Sequence, residues 1–269
     1  GVQVTLVELL PRLLPNEDEE VGQHLERAFS KQGITVLTGS KVTALRRSQG
    51  RMTVTVETPQ GPKQVECGRV LVAVGVQGNV EGLGLEGAGI SVEQGFIKAD
   101  GSLRTSHPSV YAIGDVTGKL LLAHVASAQG VAAAESIAGR QVRPLEYHLM
   151  PRAVYCQPQV ASWGLTEQQA RERLPRASVG KFPFSANGKA LALGEGEGFV
   201  KVVTDASTGE LMGAHLIGPE VTELLPELSL AQLLEGTSHE VGFLVHAHPT
   251  LSEAVKEAAL ASRGEAVHI

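Results

Sequence analysis

The beginning of the chain contains two patterns of apolar residues, one typical of a strand and one typical of a helix. Val2 to Glu8 is a β-rich run that ends in an acid. The acidic stretch Asn16 to Glu20 is typical of the first turn of a helix, and Gly33 is typical of a helix end. Between them apolar residues recur at helical spacing, at Val21, Leu25, Ala28 and Phe29. The pattern therefore predicts a strand followed by a helix.

Short apolar runs separated by turn residues come next. Ile34–Leu37 predicts a strand, and Arg69–Val74, which runs into Gly75, predicts a fully buried strand. Between these lies a predicted antiparallel meander with strands at Val42–Leu45, Met52–Thr58 and Gln64–Glu66 and turns at Gln49-Gly50 and Pro59-Gln60-Gly61. This order of elements is that of the rear half of a Rossmann-like, dinucleotide-binding α/β domain.

The pattern changes in the second half of the chain. Gly78–Arg104 is glycine-rich and predicts loops, Val110–Ile113 predicts a buried strand, and Ala123–Ala138 predicts a helix closed by Gly139. Beyond about Leu145 come a turn region, five strands and two helices, an order typical of an α+β domain. The turn region is Ala186–Gly198; the strands lie near Ala153–Tyr155, Val160–Gly164, Ser178–Phe184, Phe199–Thr204 and Leu211–Ile217; the helices lie near Glu220–Glu235 and Thr250–Ala261.

Composition narrows the classes of partner. The formal charge of −6 argues against nucleic acid and anionic membranes, and no apolar run reaches the length of a membrane span. The two cysteines, Cys67 and Cys156, form no CxxC or CxxxxC pair and predict free thiols. We therefore expect a reducing compartment, a bacterial cytoplasm or an organelle matrix, and no metal site.

Three stretches in register resemble one family. They are Ser106-His107-Pro108-Ser109-Val110-Tyr111-Ala112-Ile113-Gly114-Asp115, Leu122-Ala123-His124, and His246-Ala247-His248-Pro249-Thr250-Leu251-Ser252-Glu253-Ala254. Their order and spacing resemble the flavin- and NAD-dependent disulfide oxidoreductases, and among these the dihydrolipoamide dehydrogenases. The likeness extends over essentially the whole chain, although Val76-Gln77-Gly78-Asn79 stands where many members have Arg-Arg-Pro-Asn.

The resemblance implies a domain order. Residues 1–75 correspond to the rear of the NAD domain, 76–144 to a returning segment of the FAD domain, and 145–269 to the α+β interface domain through which the family forms homodimers. The flavin glycine loop, the redox-active cysteine pair and the NAD glycine loop are expected before Gly1, which we interpret as a break within a longer protein. We therefore expect the isolated chain to be inactive and not to retain FAD.

The resemblance also implies cofactor ligands. Glu8 ends a strand, where an acid accepts hydrogen bonds from the adenosine ribose and disfavours the 2′-phosphate of NADP; Val42 and Gly75 are the other residues implied for NAD. For FAD the implied residues are Gly114, Asp115, Leu121, Leu122, Ala123 and His124. The residues alone leave simpler alternatives open, because Glu8 is also typical of a surface acid and Asp115 of a turn.

His248 and Glu253 are the implied catalytic residues. In the family this histidine is the base and the glutamate orients it, at the disulfide and flavin of the other subunit. Two other interpretations stay open from the residues alone. His246 and His248 could be a chance metal site or surface histidines, and Thr250 with Glu253 has the spacing of a helix capping box, which needs no catalysis.

The implied activity is oxidation of the dihydrolipoamide of an acyltransferase lipoyl domain, with electrons passing through a disulfide and FAD to NAD. Glutathione reductase is the nearest alternative, but it uses NADPH, which Glu8 disfavours. Mercuric reductase normally carries a terminal cysteine pair, which Gly264–Ile269 lacks. A third hypothesis, for this chain alone, is a non-catalytic dimerisation module.

Overall fold

The computed structural model describes residues 1–48 and 50–268. It divides into two compact units. One contains Gly1–Leu71 together with the chain from Pro151 onwards, and the other is Val72–Met150. In the described part of the chain no helix is both long enough and apolar enough to cross a bilayer.

The first unit opens with a strand, a helix and a parallel strand. Strand β1 (Thr5–Val7) pairs in parallel with β2 (Thr35–Leu37), and helix α1 (Glu19–Lys31) connects them. Asp18 is the N-cap of α1, and its Oδ1 accepts the N–H of Glu20 at 3.2 Å. The chain leaves the helix at Gly33, where φ is +84°. The predicted helix and its two ends are confirmed.

The predicted antiparallel meander is present. It consists of β3 (Lys41–Ser48), β4 (Arg51–Thr58) and β5 (Gly61–Cys67), in that order across the sheet. The predicted turn at Pro59-Gln60-Gly61 joins β4 to β5. In the other predicted turn Gly50 has φ +79°, and Gln49 lies outside the described residues.

The second unit contains little regular structure. It has a two-residue ladder of β6 (Val92–Glu93) and β7 (Phe96–Ile97), a 3-10 helix at Gly114–Thr117, and helix α2 (Ala123–Ile137). The predicted loop at Gly78–Arg104 is therefore largely confirmed, as is the predicted helix with Gly139 beyond its end at φ +72°.

Two predicted buried strands are wrong. Leu71, Val72 and Val74 are 90%, 72% and 93% exposed and form no strand. The run Val110–Ile113 makes one isolated bridge, between Tyr111 and Arg104, and is not a strand either. A run of apolar residues becomes a strand only if a neighbouring strand accepts and donates its backbone hydrogen bonds. In the described residues the parallel sheet has two strands and offers these runs no partner.

The rest of the first unit is a five-stranded antiparallel sheet with helices, which confirms the α+β prediction. Its strand order is β10-β11-β12-β9-β8. The strands are β8 (Arg152–Val154), β9 (Gln159–Gly164), β10 (Ala177–Pro183), β11 (Phe199–Asp205) and β12 (Leu211–Gly218). The helices are α3 (Glu167–Arg173), α4 (Gly188–Leu193), α5 (Val221–Leu233), α6 (Ser238–Phe243) and α7 (Glu253–Ala261).

Helices α5 and α7 cover the sheet, and both correspond to predicted helices. Helix α7 packs on β10 and β11, and α5 packs on β9 and β12. At Gly180 the approach is so close that a Cβ atom would lie 1.9 Å from the carbonyl oxygen of Ala258. Three short helices, α3, α4 and α6, were not predicted, because six or seven residues carry too little periodicity to identify a helix. Helix α4 lies within the predicted turn region Ala186–Gly198.

A buried charge cluster joins α1 to the interface sheet. The Lys201 side chain on β11 is 1% exposed, and its Nζ lies 2.8 Å from Asp18 Oδ1, 2.6 Å from Glu20 Oε2 and 2.8 Å from Glu167 Oε2. Asp18 Oδ2 also accepts the backbone N–H of Glu167 at 3.0 Å. One carboxylate thus caps α1 and binds the first residue of α3.

Candidate functional site

The segment before α7 brings the two predicted catalytic side chains together. His248 lies outside the helix and Glu253 is its first residue, so the glutamate can reach back across five residues. The distance from His248 Nδ1 to Glu253 Oε1 is 3.0 Å. Since an ionised carboxylate only accepts, Nδ1 carries a proton in this contact, and in the neutral form of the ring the lone pair is then on Nε2.

The same carboxylate also binds the start of the helix. Glu253 Oε2 accepts the backbone N–H of Thr250 at 2.9 Å, which is half of a capping box. The other half is not formed, since no side chain caps the first turn of α7, and Thr250 Oγ1 donates instead to the carbonyl of Ala247 at 2.7 Å. The orienting and capping interpretations of Glu253 therefore do not compete, since each uses a different oxygen.

The electrostatics of the pair suit an orienting carboxylate. Partial burial pushes the pKa of Glu253 upwards, but the N–H of Thr250 and the ring of His248 outweigh it and hold that pKa below its ordinary value. The side chain of His248 is 75% exposed, so its second nitrogen can be reached from outside. An imidazole with one nitrogen fixed and the other accessible can take a proton from a thiol.

His246 is not a surface histidine. Its side chain is 5% exposed, and Nε2 lies 2.8 Å from Oε1 of Glu227 on α5. The described residues contain no group of three or more His, Cys, Asp or Glu that could hold a metal. The sequence pointed to His246 through the HxH pattern, but nothing marked Glu227, nineteen residues earlier, as its partner. This pair fixes the segment that carries His248 to α5.

In the second unit the residues expected to bind flavin lie on two short elements. Gly114 and Asp115 begin the 3-10 helix, Leu121 and Leu122 directly precede α2, and Ala123 and His124 are its first residues. No side chain caps α2 at Leu122, and its first turn contains no acid. Asp115 is exposed, and no described residue hydrogen-bonds to its carboxylate.

These groups fit a flavin. A free carboxylate accepts hydrogen bonds from sugar or ribityl hydroxyls. An uncapped helix start offers backbone N–H groups and a partial positive charge to the electron-rich edge of an isoalloxazine ring.

The residues expected for NAD are divided between the units. Glu8 directly follows β1, and its backbone N–H donates to the carbonyl of Leu37 at 2.9 Å. One carboxylate oxygen accepts the N–H of Leu10 at 2.8 Å, which leaves the other to accept from a ribose. Val42 on β3 is half-exposed, and Gly75, in the second unit, has φ +136°. The position of Glu8 at the carboxyl end of a parallel strand fits a dinucleotide.

One group of glycines has the spacing of a phosphate-binding loop but not its structure. Gly82, Gly84 and Gly87 have the G-x-G-x-x-G spacing of a phosphate-binding loop. The residues around them form successive turns, with neither a strand before them nor a helix after them. They lack the strand-to-helix junction that presents N–H groups to a pyrophosphate.

Comparison with known proteins identifies the same two kinds of region, a nucleotide-binding part and a dimerisation domain. Residues 1–130 match the model of the pyridine nucleotide-disulphide oxidoreductases, and residues 150–259 match that of their dimerisation domain. The chain is 50% identical over 259 residues to a dihydrolipoyl dehydrogenase of Mycobacterium tuberculosis, covering 96% of this chain and 56% of the relative. It is 44% identical over 270 residues to that of Bacillus subtilis, covering 100% of this chain and 57% of the relative.

The fold agrees with a solved structure as well. The crystal structure of LpdA from Mycobacterium tuberculosis superimposes with a TM-score of 0.88 at 30% identity, covering 96% of this chain and 56% of that one. The chain thus spans a little over half the length of these relatives. On the two family models, which together cover most of its residues, this chain belongs to the pyridine nucleotide-disulphide oxidoreductase family, as its three motif-bearing stretches predicted.

Proposed function

We propose that this chain works within a complete flavoprotein that oxidises dihydrolipoamide to lipoamide and passes the electrons to NAD. The observation that carries the proposal is the contact of His248 with Glu253, which leaves one imidazole nitrogen accessible to a substrate thiol. The similarity to dihydrolipoyl dehydrogenases supports this substrate class.

The dyad supplies the proton transfer that the reaction needs. Only a thiolate attacks a disulfide efficiently, and a dithiol is mostly protonated at neutral pH. His248 Nε2 accepts the thiol proton, while Glu253 holds the ring and stabilises the imidazolium that forms. Thr250 contributes by holding the second oxygen of Glu253.

FAD and NAD bind to residues that this chain contributes in part. When bound, the flavin carries electrons between the disulfide and the nicotinamide. Asp115 would accept a hydrogen bond from a ribityl hydroxyl, and the backbone from Leu121 to His124, at the beginning of α2, would offer N–H groups to the flavin ring, with Gly114 allowing the close turn. Glu8 would accept hydrogen bonds from the adenosine ribose, and Val42 and Gly75 are the other residues proposed for NAD.

The proposed domain division is NAD binding for residues 1–75, FAD binding for 76–144 and dimerisation for 145–269. Exposed apolar side chains on and beside α5 and α6 support a homodimer contact in the last of these, because single solvated domains rarely expose so many together. They are Leu230, Leu233, Leu234, Phe243 and Val245, which are 54% to 87% exposed. In the homodimer each His248 serves the disulfide and flavin of the partner subunit.

The lipoyl domain of a 2-oxo acid dehydrogenase acyltransferase is the proposed physiological partner, since it carries the dithiol. A reducing compartment such as a bacterial cytoplasm is proposed, on the support of the free thiols of Cys67 and Cys156 and of bacterial relatives.

The experiment that tests the function compares two substrate pairs. The complete protein, purified with its flavin, is assayed with dihydrolipoamide and NAD and, separately, with glutathione disulfide and NADPH. We expect turnover with the first pair only, because Glu8 would meet a 2′-phosphate with like charge. Turnover with the second pair alone would favour the glutathione reductase alternative.

Glu8→Arg tests the cofactor preference directly. The arginine replaces a repulsive charge by an attractive one beside the 2′ position, so the ratio of kcat/KM for NAD to that for NADP is expected to fall. Glu57→Arg, an exposed change on β4, is the control and should leave that ratio unchanged. A wild-type protein that uses NADPH as well as NADH would contradict the role of Glu8.

The remaining alternative, a dimerisation module, concerns the chain by itself. The 269-residue chain is expected to purify without a flavin absorption band, because Asp115 and the residues at the beginning of α2 would hold only part of the cofactor. A stoichiometric flavin band in the isolated chain would contradict this. A dimer without flavin would agree with both the module and the proposed enzyme, and the assay of the complete protein separates them.

A further inference from the structure

The least exposed polar side chain in the second unit is that of Gln129 on α2. It is 0% exposed, and both ends of its amide are hydrogen-bonded. Oε1 accepts the backbone N–H of Gly114 at 2.6 Å, and Nε2 donates to the hydroxyl of Tyr147 at 3.0 Å. Since the N–H of Gly114 can only donate, this network fixes which end of the amide faces Gly114.

Gly114 is held from a second direction as well. Its carbonyl accepts the hydroxyl of Thr117 at 2.8 Å, and its φ is +74°. A Cβ at this position would lie 3.4 Å from the Cβ of Ala126, so the backbone passes close to α2. Both polar groups of this glycine are thus bound to buried side chains, and the direction in which the chain enters the 3-10 helix is fixed.

The residue that follows is Asp115. Within the described residues no hydrogen bond is seen to reach its carboxylate, so the position of that carboxylate depends on the backbone that carries it. The backbone in turn is held by Gln129 through Gly114. We infer that Gln129 is a positioning residue for flavin binding. Through the backbone of Gly114 it directs the Asp115 carboxylate towards a ribityl hydroxyl, and it does not itself contact the cofactor. The inference rests on the proposed function of Asp115.

The test is a double-mutant cycle on FAD binding in the complete flavoprotein. Gln129→Met keeps the length of the side chain and removes both hydrogen bonds, whereas Gln129→Glu keeps an acceptor for Gly114 and can accept from Tyr147. FAD is removed and rebound, and Kd is measured by flavin fluorescence. We expect Gln129→Met to weaken binding about ten-fold and Gln129→Glu to restore it to near the wild-type value.

The decisive comparison is made in an Asp115→Ala background. If Gln129 acts through Asp115, Gln129→Met has little further effect there. An equal loss in both backgrounds would overturn the inference, since the glutamine would then only stabilise the unit. If Asp115→Ala alone leaves FAD binding unchanged, the proposed role of Asp115 fails as well.

A second variant covers the case in which Gln129→Met does not fold, as judged by circular dichroism of the flavin-free protein. Tyr147→Phe removes only the partner of Nε2 and is expected to weaken FAD about three-fold, again only when Asp115 is present. In that case an unchanged Kd in Tyr147→Phe, or an equal loss of FAD binding with and without Asp115, would contradict the positioning role.

Discussion

The Lys201 cluster and the His248–Glu253 pair differ in how many nitrogen positions of the basic side chain have a hydrogen-bond partner. Around Lys201 the three protons of a buried ammonium are matched by three carboxylates. At His248 one nitrogen of an exposed ring meets one carboxylate, and the structure gives the other nitrogen no partner among the described residues. The first group is saturated and the second is open.

The pKa values follow the same division. Burial alone would lower the pKa of Lys201, but hydrogen bonds to Asp18, Glu167 and Glu20 outweigh it and raise that pKa above its ordinary value. Lys201 therefore stays charged and gives up no proton at any physiological pH. A saturated cluster stabilises the fold, whereas a pair with one open position can exchange a proton with a substrate.

The largest expected effect is on the open pair. His248→Gln in the complete protein is expected to lower dihydrolipoamide oxidation by about a hundred- to ten-thousand-fold, because the thiol loses its general base. Electron transfer from NADH to an artificial acceptor needs the flavin but no thiol deprotonation, and should be largely spared. Steady-state rates with the two acceptors measure the difference.

Two outcomes bear on this prediction. Glu253→Gln is the matched control: it keeps the side chain's shape but weakens the orientation of the ring, so its loss is expected to be smaller. Equal loss of both activities in His248→Gln, with flavin still bound, would mean that the histidine is structural and that Glu253 serves only to cap α7.

Removing the lysine from the saturated cluster should lower the free energy of unfolding. Lys201→Met leaves three carboxylates without their cation, of which Asp18 is 3% exposed, and is expected to lower the free energy of unfolding by about 3 to 5 kcal/mol. Urea denaturation of the purified protein measures this.

Lys181→Met is the matched control for that experiment. Lys181 lies opposite Lys201 across the β10–β11 pair and bonds the same Glu20 at 2.8 Å, but its side chain is 45% exposed. An exposed pair is worth about 0 to 1 kcal/mol. Equal destabilisation by the two substitutions would contradict the distinction between buried and exposed lysine.

Acid pH should weaken the saturated cluster by a smaller amount. Burial pushes the pKa values of Asp18, Glu20 and Glu167 upwards. Hydrogen bonds to Lys201, together with those of Glu20 to Lys181 and of Glu167 to Arg171, outweigh it and hold all three pKa values below their ordinary values. The stability that they contribute is fully present above the unfolded-state pKa values, near 4, and is lost as pH falls through the lowered folded-state values. Urea midpoints between pH 7 and pH 3 should therefore decline, and Lys201→Met should flatten that decline.

The smallest effect is expected from Thr250→Ala. The hydroxyl donates to the carbonyl of Ala247, and its loss should cost about 1 kcal/mol of stability. The backbone N–H that binds Glu253 survives the substitution, so dihydrolipoamide oxidation should change little. A thermal melt and the standard assay check both parts, and a loss of activity as large as that of His248→Gln would mean that the hydroxyl itself takes part in the reaction.

The sequence by itself determined the parts whose causes are local. Helix α1 follows from its apolar spacing between Asp18 and Gly33, and the meander from alternating strands separated by turns. The contact of His248 with Glu253 spans five residues, and a motif in register was enough to predict which side chains to bring together. Glu8 was predicted from the strand end that the structure shows, whereas Asp115 was predicted from the resemblance and from a strand that the structure does not contain.

Only the tertiary structure decided the features that join distant residues. The apolar runs at Val70–Val76 and Val110–Ile113 have strand-like composition, but a strand exists only with a hydrogen-bonding neighbour, and periodicity does not supply one. The pairing of His246 with Glu227, and of Lys201 with Asp18 across 183 residues, depends on how helices pack against the sheet. Each of these charged side chains, taken alone, is typical of a solvated surface. Their burial, and hence their role, follows from the partners that folding brings to them.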